Sequence, residues 1–201
     1  MPQHYDPSLM VDLRGEQTNP PKFIGQDGKP KKRYKLSNGK VFVRDPSTVT
    51  GITFHQTATP FSTSAAQVKA AGGDKDLAKH RRMLTIPAHA VACLTGKFVV
   101  HAPLEWHAYH GHGLNDFTLG LEMEALMPGL KGAKTWNGKP ATKLTPEFIA
   151  ACRNATGYLY EEGRRAGMPI EYAYAHRQST AKPSDPGQEL WQLVVLDFAV
   201  K

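Results

Sequence analysis

Between residues 117 and 125 the chain alternates without a break. Phe117, Leu119, Leu121 and Met123 share one face, and Thr118, Gly120, Glu122 and Glu124 share the other. A period of two belongs to a strand with one side against a core. The chain must therefore build a sheet, and that sheet must carry carboxylates on the side the core leaves free. Residues 51–55 repeat the arrangement, with Ile52 and Phe54 facing one way and Thr53 and His55 the other.

The surrounding segments supply hairpins and helices. Tyr34-Lys35-Leu36 and Val41-Phe42-Val43 flank Asn38-Gly39, the strongest short hairpin signal. Residues 88–94 and 97–102 flank Thr95-Gly96 and read as a second hairpin. Residues 63–71 and 74–84 read as helices, capped by Ser62 or Ser64 and by Asp74, with Gly72-Gly73 between them. Thr145-Pro146-Glu147 opens a longer helix with cap, first-turn proline and first-turn acid in order. Its apolar stripe is Phe148, Cys152, Ala155 and Leu159, and Gly167 suits the residue just past its end. Residues 172–176 read as a short strand. Residues 187–199 read as a helix carrying Leu190, Trp191, Val194 and Phe198. Residues 1–33, with Pro20-Pro21, Gly25, Gly28 and Pro30, read as an irregular arm, and 127–143 as a long loop whose one aromatic point is Trp136. The sum is a sheet with helices packed on it, in one domain. An arm with a hairpin over 1–49 is expected to pack on the main domain over 50–201.

Composition narrows the partner. The chain has 201 residues, with 25 Lys and Arg against 18 Asp and Glu, a formal charge of +7. Hydrophobic residues at 40% and charged residues at 21% exclude a disordered or fibrous chain. No apolar run approaches the roughly 18 residues of a membrane-spanning helix, so no membrane insertion is expected. The opening Met1-Pro2-Gln3-His4-Tyr5-Asp6 lacks a basic stretch followed by an apolar one, so no signal peptide is expected. Cys93 and Cys152, in apolar surroundings, are too few for a disulfide scaffold and read as buried thiols. The positive charge points to an anionic partner. It is spread along the chain apart from Lys29-Pro30-Lys31-Lys32-Arg33, without an arginine-rich tract or interleaved aromatics, so nucleic acid is not expected.

Three polar residues suggest chemistry. His55 stands on the polar side of its strand, His176 ends another, and Asp185 lies in the turn Ser184-Asp185-Pro186-Gly187. Two imidazoles and one carboxylate form a ligand set for catalytic zinc, which keeps a fourth position open. No local motif marks the site, and nine histidines offer many chance triads. Residue types alone leave the assignment open.

Five segments in order carry a resemblance. They are Phe54-His55-Gln56-Thr57-Ala58, Ala88-His89, Trp106-His107-Ala108, the stretch Asn115-Asp116-Phe117-Thr118-Leu119-Gly120-Leu121-Glu122-Met123-Glu124, and His176 followed by Asp185-Pro186-Gly187. Together they resemble the type 2 N-acetylmuramoyl-L-alanine amidases, a superfamily that also holds phage lysozyme-amidases and peptidoglycan-recognition proteins. The likeness covers roughly residues 50–190 and leaves the arm unexplained. It implies a single α/β (α+β) domain with a central mixed β-sheet flanked by helices. It implies one zinc ion per chain held by His55, His176 and Asp185, with Glu122 acting on the attacking water. A basic residue before the final Asp stabilises the oxyanion in the family. Lys182 is the candidate, one place further back than the family's usual lysine, whose place Pro183 takes; Arg177 is the alternative.

The reaction so implied is hydrolysis of the amide between N-acetylmuramic acid and L-alanine in peptidoglycan, the expected partner. His89, Trp106, His107 and Asn115 are expected around the substrate. Glu122 has the plainer reading of a solvated strand carboxylate, which Glu124 shares. His101, His107, His110 and His112 read as loop histidines on a polar surface rather than a second metal site. The leading role is an endolysin-like, monomeric enzyme made in the cytoplasm and acting on the wall. A cytoplasmic enzyme recycling wall fragments, an injected toxin, and a module that binds muropeptide without cutting remain alternatives.

Overall fold

The two alternating segments form the middle of the sheet. The computed structural model describes residues 5–18, 31–129, 134–136, 138–182 and 184–199. Pro20-Pro21, Gly25, Gly28, Pro30 and Pro183 lie outside the described residues.

In chain order the strands are β1 (Met10–Asp12), β2 (Leu36–Ser37), β3 (Lys40–Val41) and β4 (Gly51–Gln56), followed by helices α1 (Ala65–Ala70) and α2 (Lys75–Arg82). Next come β5 (Ala90–Ala92), β6 (Phe98–Val100), β7 (Thr118–Met123), the short pair β8 (Thr135–Trp136) and β9 (Lys139–Pro140), α3 (Pro146–Arg165) and β10 (Tyr172–Ala175). The chain closes on α4 (Gln188–Leu190), a π-helical stretch (Trp191–Leu196) and α5 (Asp197–Ala199). The main sheet runs β1-β6-β5-β7-β4-β10. Its pairs are parallel except β5 with β6, so the sheet is mixed, as expected.

Local chemistry explains the elements. Asn38 and Gly39 both take positive φ, the geometry of a hairpin turn that follows strand twist. Ser64 and Asp74 cap α1 and α2, accepting from the backbone of Gln67 and Leu77. Thr145 caps α3, and Pro146 sits in its first turn, where a missing N–H costs nothing. At the far end Gly167 takes φ +86°, and the N–H groups of Gly167 and Met168 donate to Arg164 and Gly163. That is the glycine-terminated helix end expected there.

The apolar face of the sheet packs under α3 and the C-terminal helix. Ile52, Phe54, Leu119, Leu121 and Met123 meet Phe148, Cys152, Ala155 and Leu159, all buried. On the opposite face Val91, Cys93 and Val99 are covered by Leu13, Met83 and Ile86. The β4–β7–β10 part of that face is left to polar side chains. Both cysteines are buried and free. Among the described residues no helix is long and apolar enough to cross a membrane.

Two readings change. The arm is not wholly irregular, since Met10–Asp12 adds a parallel edge strand to β6. The loop over 127–143 contains the antiparallel β8–β9 pair. Both are two- or three-residue elements, too short to show a period in sequence.

Candidate metal centre

Parallel strands aligned in one direction bring their carboxyl ends to one edge, where open α/β sheets place their sites. His55 is the penultimate residue of β4 and Glu122 the penultimate residue of β7, and the register pairs them directly. Residues opposed in this way project from the same face. His176 follows the last residue of β10, which lies on the other side of β4. Strand order thus gathers three residues separated by up to 121 positions.

Asp185 arrives on a turn, and Gln56 fixes that turn. The Gln56 backbone N–H donates to Asp185 Oδ1 at 2.9 Å. Its side-chain oxygen accepts from Met127 N and Gly187 N, each at 3.1 Å. Its amide nitrogen donates to Met127 O at 3.0 Å and Ser184 Oγ at 3.1 Å. Ser184 Oγ also donates to Met127 O. A Cβ on Gly187 would stand 2.8 Å from Pro128 O and closer still to Met127, so only glycine lets the two segments approach. The Asp185–Pro186 peptide is cis.

The three side chains converge. His55 Nδ1 and His176 Nδ1 are 2.9 Å apart, His176 Nδ1 and Asp185 Oδ2 2.8 Å, and His55 Nδ1 and Asp185 Oδ1 3.9 Å. One donor atom from each lies within 4.8 Å of the others, and all three residues are buried. This is the only such group of His, Cys, Asp or Glu donors among the described residues. Burial, together with the charges of His110, His176 and Lys182, holds the His55 ring well below its ordinary pKa, which keeps a lone pair available. Burial pushes the Asp185 carboxyl up. Hydrogen bonds from His176, Lys182 and the Gln56 backbone outweigh it and leave the carboxyl below its usual range. Two imidazole nitrogens and one carboxylate oxygen, buried and mutually close, fit a divalent metal such as zinc.

Glu122 stands beside this group. Its Oε2 is buried without a hydrogen-bond partner among the described residues. Burial and the charge of Asp185 push its carboxyl up to about 8, while Lys182 and Arg33 pull it down. The residue is half-buried with Oε2 shielded from solvent, so it is not the fully solvated strand carboxylate of the plainer reading. Glu124 is not solvated either: fully buried, it accepts from Phe61 N at 2.7 Å and Leu94 N at 2.8 Å and pairs with Lys79 at 2.9 Å. Such a carboxylate ties loops to the sheet.

Of the two basic candidates, Lys182 reaches the donors. Its Nζ donates to Asp185 Oδ2 at 2.7 Å and lies 3.1 Å from His176 Nδ1. Arg177 donates instead to Gln188 Oε1 at 3.2 Å.

The residues expected around substrate sit deeper. His89 is fully buried, with Nδ1 accepting from Gly120 N and Nε2 facing Trp106 O, both at 2.9 Å. This ring frames the site and has no surface left for a ligand. Trp106 is 8% exposed and packs edge-on against Tyr34 at 5.6 Å. His107 is paired with Asp116 at 2.8 Å. Asn115 Oδ1 accepts from Gly111 N at 2.6 Å and pins its own loop. The reading of His101, His107, His110 and His112 as surface histidines is corrected: only His112 is exposed. Neither His101 ring nitrogen has a hydrogen-bond partner among the described residues in a fully buried setting, and burial holds that ring down at about 4.

Three contributors escaped the sequence reading. Gln56 stands out in the sequence only as a member of the Phe54-His55-Gln56-Thr57-Ala58 segment. Arg33 belongs to the arm, where Tyr109 N donates to its carbonyl at 2.8 Å, and its charge acts on Glu122. His110 touches His55 directly, Nδ1 to Nε2, at 3.1 Å. One signal pointed to it: Gly120 interrupts the polar face of β7, and an isolated strand glycine marks a close approach.

A family model described as N-acetylmuramoyl-L-alanine amidase matches residues 45–188. No curated protein matches the chain. Solved structures resemble it at low identity. An endolysin N-acetylmuramoyl-L-alanine amidase, LysCS from Clostridium intestinale, is 13% identical, with 96% of this chain and 97% of that one covered and a TM-score of 0.50. The bumblebee recognition protein PGRP-SA is 14% identical, covering 96% and 93%, with a TM-score of 0.53. Peptidoglycan recognition protein-LE, solved in complex with tracheal cytotoxin, is 14% identical, covering 92% and 91%, with a TM-score of 0.51. At such identity the likeness speaks for the fold alone.

Proposed function

The chain belongs to the N-acetylmuramoyl-L-alanine amidase family, and from that premise we propose that it is a zinc-dependent hydrolase cutting the bond between N-acetylmuramic acid and L-alanine in peptidoglycan. The observation that carries the reading is the convergence of His55, His176 and Asp185 with Glu122 in register beside His55. A recognition module that only binds has no need of a carboxylate oxygen that is shielded from solvent and without a partner among the described residues, next to such a donor set.

His55 Nδ1, His176 Nδ1 and Asp185 would hold the zinc. When bound, it supplies a Lewis acid that polarises the scissile carbonyl, acidifies a water and offsets the burial that keeps Glu122 protonated. Glu122 Oε2 then takes the water's proton and returns it to the departing L-alanine nitrogen. Lys182, its side chain 45% exposed, is free to turn from Asp185 towards the oxygen that gains charge in the tetrahedral stage. His89, Asn115 and Gln56 hold these groups in place, while Trp106 and His107 support the wall next to Tyr109, which is exposed.

The basic balance favours the intact, anionic wall as substrate and an endolysin-like role over recycling of small fragments. Digestion of purified sacculi followed by mass spectrometry tests the reading. Free stem peptides released by the protein, lost with a chelator and restored by zinc, are the expected result. Cleavage of the glycan instead, or wall binding without any release by zinc-loaded protein, would overturn it; the latter outcome would make this a recognition module.

A further inference from the structure

We infer that His110, on the loop before β7, sets the tautomer of His55 and so aims the His55 Nδ1 lone pair at the metal position. The inference rests on the reading of the site as a metal centre. His110 touches no donor atom of that centre other than through the far side of the His55 ring, so it is a positioning residue.

The Thr118 carbonyl can only accept. His110 Nε2 lies 3.3 Å from Thr118 O, so that nitrogen carries the ring proton. A neutral His110 ring then has its lone pair on Nδ1, and Nδ1 faces His55 Nε2 at 3.1 Å. For this contact to be a hydrogen bond, His55 must carry its proton on Nε2. Its Nδ1 is left unprotonated, and Nδ1 is the atom that faces His176 and Asp185. The chain Thr118 C=O, His110, His55 thus runs in one direction only, and its free end is a metal ligand. Ligand imidazoles generally need such a partner on the other nitrogen to fix tautomer and ring plane.

The surroundings hold His110 to this role. The ring is buried, with His89 edge-on at 5.9 Å and His55 edge-on at 5.3 Å. The Arg44 guanidinium, which donates to Asn115 O and Thr118 O, holds in place the carbonyl that His110 Nε2 faces. The slot itself depends on Gly120: a Cβ there would stand 2.7 Å from His110 Cγ. His112, from the same loop, backs the second imidazole more loosely, its Nδ1 3.4 Å from His176 Nε2.

The test compares wild type with His110→Phe, which fills the slot without an acceptor, and His110→Asn, whose side-chain oxygen can stand where Nδ1 stood. Zinc affinity is measured on the full chain by competition with a chromophoric chelator. Nitrogen-15 correlation spectra of the metal-free proteins read the His55 tautomer. A loss of about 10- to 100-fold in affinity for His110→Phe, with most of it recovered in His110→Asn and with His55 protonated on Nε2 in wild type, is expected. Wild-type affinity in a folded His110→Phe would overturn the inference while leaving the metal centre intact. A proton on Nδ1 of His55 in the metal-free wild type would overturn it without any variant. Failure of the wild type to bind zinc would remove the metal reading itself, and this inference with it.

Discussion

Glu122 is the residue whose chemistry reaches furthest. With zinc retained, Glu122→Gln is expected to lower kcat by about 10²- to 10⁴-fold, the usual worth of a positioned acid–base group; unchanged turnover with zinc still bound would contradict the role. The same carboxyl leaves a mark on the metal-free protein. Burial lifts it to about 8 in the fold, against about 4.3 in an unfolded chain. Between those values the folded state keeps a proton that the unfolded chain has lost. Its stabilising share is therefore whole below about pH 4, declines by up to about 1.4 kcal/mol per pH unit as pH rises, and is gone above about pH 8. Urea unfolding of metal-free wild type and Glu122→Gln across this window should show that decline in wild type alone, and parallel curves would contradict it. Glu124 predicts a different phenotype. Glu124→Ala leaves Lys79 and two backbone N–H groups without their acceptor, so a loss of stability of about 3 kcal/mol is expected, read as a lowered urea midpoint. The proposed ligands and Glu122 could be named only through the resemblance, because residue types alone left nine histidines to choose from. The roles of His110, Gln56 and Arg33 could not be read even so, because each acts through a partner distant in sequence and no local pattern encodes the pairing.

At the scale of elements, legibility followed length. In α3, 20 residues give the apolar stripe five turns in which to repeat, and both of its ends carry their own signals in Thr145, Pro146 and Gly167. The alternation of β7 and the faces of β4 were equally plain. Met10–Asp12 was not, since three residues of which one is charged carry no period, and their pairing to β6 is set by the sheet edge. The cap makes a clean prediction. Thr145→Ala removes the acceptor for the Phe148 N–H and is expected to cost about 1 kcal/mol. The urea midpoint should fall with an unchanged slope. An unaltered midpoint would mean that the first turn of α3 is held by packing alone.

For the whole molecule, the order of elements implied the layers but not the strand order. Parallel neighbours are joined by long crossovers, so β4 finds β7 and β10 through tertiary packing that sequence spacing does not reveal. That order is also what assembles the donor set at one sheet edge. The charge of +7 acts at this scale too. Sacculus binding is expected to weaken steadily as salt rises, while hydrolysis of a small soluble muropeptide stays within about twofold, because screening acts on long-range attraction more than on a buried centre. Equal salt sensitivity of the two would place the effect in the site rather than in the surface.

The proposed chemistry turns on one cation position. Crystals of the full chain grown with zinc, with diffraction recorded on both sides of the zinc absorption edge, test it directly. A single strong anomalous peak about 2.0–2.2 Å from His55 Nδ1, His176 Nδ1 and an oxygen of Asp185 is expected. A peak elsewhere, or none at these three atoms with zinc in excess, would contradict it.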